Sequence, residues 1–224
     1  MTYLVLDSET GSKKVYGRVG NPFYNPIIAL GFCSKGEVYS EYIYPNKLQN
    51  LKIDEDVLVG FNIKYDLLYL WQLPDLQDFF KRGGRIWDCQ EAEYTLSGQQ
   101  NKYPSLRDTA VQRYGCKQRE KKMEEYWSKG VDTMDIPKEL VLEDVENDVL
   151  DTEQVYLKQL TRVAEAGMLE LIEARMDGLL ATCEMEYNGL YVNQDILETN
   201  KKLLEQEIER KTKKLIDISQ RYWK

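Results

Sequence analysis

The amino-acid sequence predicts an α/β protein: a mixed β-sheet flanked by helices, followed by a helical extension. Three observations carry this. Short apolar runs rich in β-forming residues recur from Tyr3 to Asp88. Helical patterns lie between those runs instead of being segregated from them. From Ser105 onward the periodicity is mostly helical, so helices outlast the sheet.

The elements follow in order. Tyr3-Leu4-Val5-Leu6 reads as a strand, and Ile27 to Phe32 and Glu37 to Tyr44 as two more. GSKKVYGRVGNPFYNP, between the first two, is rich in Gly, Pro and Asn and reads as a loop. Val57 to Phe61 forms a fourth strand, and Leu67, Leu68, Leu70 and Trp71 suit the helix that follows. Arg85 to Asp88 is a further strand, with a helix near 89–97. Ser105 is placed to cap a helix ending near Gly115. Residues 116–134 are polar and read as a mobile connection. Pro137 opens a long helix reaching about residue 164, since proline suits a first helical turn. A second helix covers about 168–187, and Asn193 caps a last one running almost to the end. The expected domains are 1–165 and 166–224.

Composition narrows the chemistry. The chain of 224 residues has a net charge of −8 and no histidine. A net acidic chain is not an obvious partner for polyanions. Without histidine there is no Ser-His-Asp triad, no Cys-His pair and no histidine-ligated metal site, leaving carboxylates, metals, Lys, Tyr or Cys as tools. The four cysteines, Cys33, Cys89, Cys116 and Cys183, lack metal-ligand spacing and read as reduced thiols. No apolar stretch approaches a membrane span, and the N-terminus lacks the pattern of a secretory signal, so a cytoplasmic location is expected.

The first strand runs into Asp7-Ser8-Glu9. In an extended chain residues i and i+2 share a face, so Asp7 and Glu9 project together and repel unless a cation lies between them. The same three residues also fit a polar turn. Asp66, after the fourth strand in Asn62-Ile63-Lys64-Tyr65-Asp66, falls in the first turn of a helix, where a carboxylate also serves the helix dipole. Glu139 to Glu153 holds seven acids and no Lys or Arg. Asp144, Asp148 and Asp151 share one broad helical face, at a cost in repulsion. Taken singly, that face also fits a solvated surface. Together, acids at two strand ends and on one helix can converge beside a sheet. Hard oxygen ligands suit Mg²⁺ or Mn²⁺, and two such ions support in-line displacement at phosphorus.

LDSET, NIKYD and a late helical Asp148 resemble the three motifs of the ribonuclease H-like 3′→5′ exonuclease superfamily with four acidic ligands. The likeness is nearest to the proofreading domain of bacteriophage and bacterial family A DNA polymerases. It covers about residues 1–165, and GVDTMDIPKELVLEDVENDVLDT resembles the phage form of the last motif. The resemblance implies Asp7, Glu9, Asp66 and Asp148 as ligands of two Mg²⁺ or Mn²⁺ ions, a single-stranded DNA 3′ end as substrate, and Thr10, Asn62 and Tyr65 as contacts to its last nucleotides. It also implies a departure: four residues before the last acid, where the family has Tyr or His, stands Asp144. A carboxylate there can accept a hydrogen bond from water, or misplace a metal and lower the rate.

MEYNGLYVNQDILE resembles the passage from exonuclease to polymerase domain, with no palm or fingers sequence after it. That implies a fragment or a polymerase on a separate chain. The segment 193–224 carries 8 Lys/Arg and 6 Asp/Glu, 8 − 6 = +2, and an apolar stripe from Ile196 to Ile218. The stripe can pack on neighbouring helices or dock a polymerase domain or chain. Lys117 to Lys122 can guide a strand or form a solvated loop. Three functions stay open: a proofreading DNA exonuclease, an RNA-trimming exonuclease of the same superfamily, and a catalytically weak module that binds a polymerase.

Overall fold

The architecture is that of a computed structural model, which describes residues 2–14, 20–99, 102–119 and 121–222. Among these residues the sheet has five strands: β1 (Tyr3–Thr10), β2 (Ile27–Ser34), β3 (Glu37–Tyr42), β4 (Val57–Gly60) and β5 (Arg85–Asp88). Their order is β3-β2-β1-β4-β5. β2 runs antiparallel to β1 and β3, while β4 is parallel to β1 and β5. The sheet is therefore mixed, as expected, with β1 at its centre.

The five strands fall on the apolar runs of the sequence. β4 is the apolar run Val-Leu-Val-Gly, buried throughout, as a central parallel strand must be. α1 (Ile63–Leu70) follows at once and buries Ile63, Asp66, Leu67 and Leu70. α2 (Pro74–Lys81) starts on a proline and buries only Leu76 and Phe79. That short apolar signal explains why no helix is anticipated there. α3 (Cys89–Leu96) is capped by Asp88. The helix expected after Ser105 is a π-helical turn, Asp108–Arg113, with the Asp108 amide donating to Ser105 Oγ at 3.0 Å.

Residues 116–134, expected as a mobile connection, contain α4 (Met123–Ser128) and a 3₁₀ turn, Thr133–Asp135. Met123 anchors this stretch, fully buried with Ile28, Ile136, Val141 and Val145. α5 (Lys138–Ala166) lies across the sheet. It can do so because Gly31 has no side chain: a Cβ there would stand 2.8 Å from Val145 Cγ2 and 3.0 Å from the Val145 carbonyl oxygen. α6 (Leu169–Asn188) returns over the core, burying Ile172, Met176 and Cys183.

One compact unit spans Met1–Tyr187, and a second spans Asn188–Lys224. The first thus continues beyond the expected boundary at 165. The second is α7 (Gln194–Tyr222), whose start is capped by Asn193: its Oδ1 accepts from the Ile196 amide at 3.1 Å. Glu207 pairs with Arg210 and Lys211 along this helix, and Leu203, Leu204, Ile208 and Leu215 are exposed. Among the described residues no helix is long and apolar enough to cross a membrane.

Candidate active site

Asp7 and Glu9 stand on the last part of β1, beyond the stretch that pairs with β4, which ends at Val5. Their cross-strand partners on β2 are Gly31 and Ala29. Opposite each acid is therefore a residue with little or no side chain, and the space over the sheet is open to α5. The α5 helix fills it and brings Asp148 alongside. Asp7, Glu9 and Asp148 each offer a carboxylate oxygen, and these atoms all lie within 4.8 Å of one another.

Such crowding penalises ionisation. Burial, then Asp66, Asp148 and Glu9, raise the Asp7 carboxyl well above the usual carboxylate range. Burial, then Asp144 and Asp148, do the same to Glu9. Burial also raises Asp148, although Lys121 opposes it. Three mutually destabilised carboxylates with all-oxygen donors fit a hard divalent cation, which would hold all three in the charged form.

Asp66 is almost fully buried but stands outside that mutual 4.8 Å set. Its Oδ1 accepts from Ser8 Oγ at 2.5 Å. Burial pushes its carboxyl up to about 7 despite that bond. Asp144 is buried too, and burial pushes it up to about 6, with Lys121 opposing. Its carboxylate faces the same centre, as the leading charge acting on Glu9 after burial.

Beside the acids opens a cleft of about 1200 Å³ whose walls include Glu9, Thr10, Lys13, Lys14, Tyr65 and Trp127. Thr10 Oγ1 and the Tyr65 hydroxyl are hydrogen-bonded at 2.5 Å, so two of the three expected nucleotide contacts come together there. Asn62 does not line the cleft. It sits exposed at the start of α1 with φ 62°, and its backbone amide donates to Asp88 Oδ1 at 3.1 Å.

Sequence reasoning missed two residues here. Asp88 ties the Asn62 turn to α3, and no local motif marks it. Lys121 enters the acid centre: its ammonium is hydrogen-bonded to both oxygens of Asp148 and stands 3.6 Å from Asp144 Oδ2. The only local signal was a basic run in a chain whose acids outnumber its bases.

The central strand bearing two acids, the helix bearing the third and the mixed five-stranded sheet define a ribonuclease H-like exonuclease fold. Brucella melitensis NrnC shares it at 14% identity and TM-score 0.61, the match covering 84% of this chain and 86% of that one. That neighbour is also known with bound Mg²⁺ and bound to pGG. The catalytic core of RRP6 from Trypanosoma brucei matches at 16% identity and TM-score 0.51, over 80% of this chain and 45% of that one. The family B DNA polymerase of the archaeon Pyrobaculum calidifontis matches at 20% identity and TM-score 0.50, over 70% of this chain and 24% of that one. No protein-family model and no curated protein matches the sequence. The neighbours share the exonuclease fold and do not single out family A polymerases.

Proposed function

We propose that this chain is a metal-dependent 3′→5′ exonuclease that trims single-stranded RNA or short oligonucleotides. The observation that carries it is the triad Asp7, Glu9 and Asp148, gathered within 4.8 Å on a nuclease fold. Divalent ions bound there would supply a nucleophile at neutral pH and offset the charge that develops on the leaving oxygen.

The chain's own groups do the rest. Asp7, Glu9 and Asp148 hold the ions, with Asp66 as the fourth acid. Lys13 and Lys14, exposed on the cleft, meet the phosphate backbone. Tyr65 and Trp127 offer ring faces for unstacked bases, a mode that suits single strands. Thr10 and Asn62 are proposed contacts to the terminal nucleotide. Asp144, in place of Tyr or His, accepts a hydrogen bond from the attacking water.

Trimming is favoured over proofreading because the match takes in 86% of NrnC, a neighbour also seen with pGG, but 24% of the polymerase. The second reading, the proofreading part of a split family A polymerase, rests on one observation. α7 exposes an apolar stripe, with Leu203 58%, Ile208 63% and Leu215 67% accessible, which a polymerase domain or chain would cover.

The test uses 5′-labelled RNA and DNA strands of matched sequence with Mg²⁺, Mn²⁺ or chelator. Stepwise shortening from the 3′ end, faster on RNA and lost with chelator, is expected. Faster loss from DNA would favour proofreading. Asp7→Ala combined with Glu9→Ala should reduce cleavage by at least about 10³-fold with the circular dichroism unchanged. If that double variant still shortens the strand in Mg²⁺, these acids are not the ligands.

A further inference from the structure

The sequence holds an acidic helix face without a cation and a basic run without a partner. In the fold they meet. Arg119 Nε donates to Asp151 Oδ1 at 2.8 Å, and Lys122 Nζ to Glu143 Oε1 and Oε2 at 2.8 and 2.9 Å. Between these two anchors Lys121 reaches into the acid centre. It engages both oxygens of Asp148, and its charge acts on Asp7, Glu9 and Asp144 as well. One ammonium is thus seated on Asp148 and beside Asp144, inside the acid centre.

This differs from an exposed ion pair, which contributes little. Lys121 is largely withdrawn from solvent, with its ammonium seated between the Asp148 and Asp144 carboxylates. The ammonium and a divalent cation are positive charges competing for the same oxygens, since both oxygens of Asp148 are hydrogen-bonded to Nζ. The flanking pairs, Arg119–Asp151 and Lys122–Glu143, use none of the ligand set. They can stay in place while the Lys121 side chain swings out.

We propose that Lys121 is a built-in counter-ion that holds the carboxylate centre together in the metal-free protein and is displaced when a divalent cation binds. This rests on the metal-site reading above. Binding linkage makes the competition reciprocal: removing the ammonium must tighten the metal, and adding the metal must release the ammonium.

Two measurements on the full chain test it. The first is Mn²⁺ titration, by calorimetry and by the electron paramagnetic resonance of free Mn²⁺. Lys121→Gln should bind the first Mn²⁺ about tenfold tighter than wild type, and Lys121→Arg close to wild type. The metal-free Lys121→Gln protein should melt lower, and the gap should close at saturating Mn²⁺. The second needs no variant. Acylation of Lys121 by an amine-reactive ester, read by mass spectrometry, should be slow without metal and at least severalfold faster with Mn²⁺. Equal or weaker Mn²⁺ binding by Lys121→Gln, with wild-type binding intact and lost in Asp148→Asn, would overturn the counter-ion role and leave the metal site standing. So would labelling that Mn²⁺ leaves unchanged. Failure of wild type to bind Mn²⁺ at all would bring down the metal site, and this role with it.

Discussion

At the residue scale, Asp88 is a buried carboxylate outside the acid cluster that ties two elements together. Its Oδ1 accepts from the backbone amides of Asn62, Gln90 and Glu91, at 3.1, 2.8 and 3.1 Å, joining the turn before α1 to the start of α3. Burial nevertheless pushes its carboxyl up to about 6, because the hydrogen bonds only partly offset desolvation. A folded-state pKa above the ordinary value means a stabilising contribution present below about pH 4 and lost as pH rises to about 6. Asp88→Asn keeps an acceptor without the charge. Relative to wild type it should gain stability across that window, read by urea unfolding at several pH values; a constant difference would contradict the assignment. Asp144 carries a different prediction. If its carboxylate is a poor substitute for the aromatic residue of the related motif, Asp144→Tyr should raise the hydrolysis rate by about tenfold. Single-turnover assays on labelled strands would show it; an unchanged or lower rate would mean that the carboxylate orients the water at least as well as a phenol.

At the scale of elements, the approach of α5 to β2 decides whether three acids form one centre. Gly31 lies beside Asp7 in the sheet and under Val145 of the helix. Gly31→Val would force the helix outward, since the obstruction includes the Val145 backbone oxygen and not only a flexible side chain. A loss of about 1–3 kcal/mol in unfolding free energy is expected, together with weaker Mn²⁺ binding. Wild-type Mn²⁺ affinity in this variant would show that α5 does not set the spacing. The strands and α5 were legible in sequence because each is a local pattern, an apolar run or a helical period; the acids at positions 7, 9 and 148 were candidates on a strand end and a helical face, and their selection as ligands came from the motif resemblance. Lys121 and Asp88 were not, because their partners lie 27 and 26 residues away along the chain. α2 was not, because two buried side chains leave too faint a period.

For the whole molecule, the division near Tyr187 separates a folded core from a long helix with exposed apolar residues. A chain ending at Tyr187 should melt cooperatively within a few degrees of the full chain and retain single-strand cleavage. Calorimetry and the labelled-strand assay check both, and loss of either would make α7 part of the catalytic body. Within the core, β1 is fastened to α1 at two successive places: Ser8 to Asp66, and Thr10 to Tyr65. Tyr65 and Asp66, adjacent in α1, are therefore both held to the strand that carries Asp7 and Glu9. Under the proposed function, displacing Tyr65 would displace its neighbour Asp66 as well, so the fit of a strand's end and the placement of the fourth acid would be coupled.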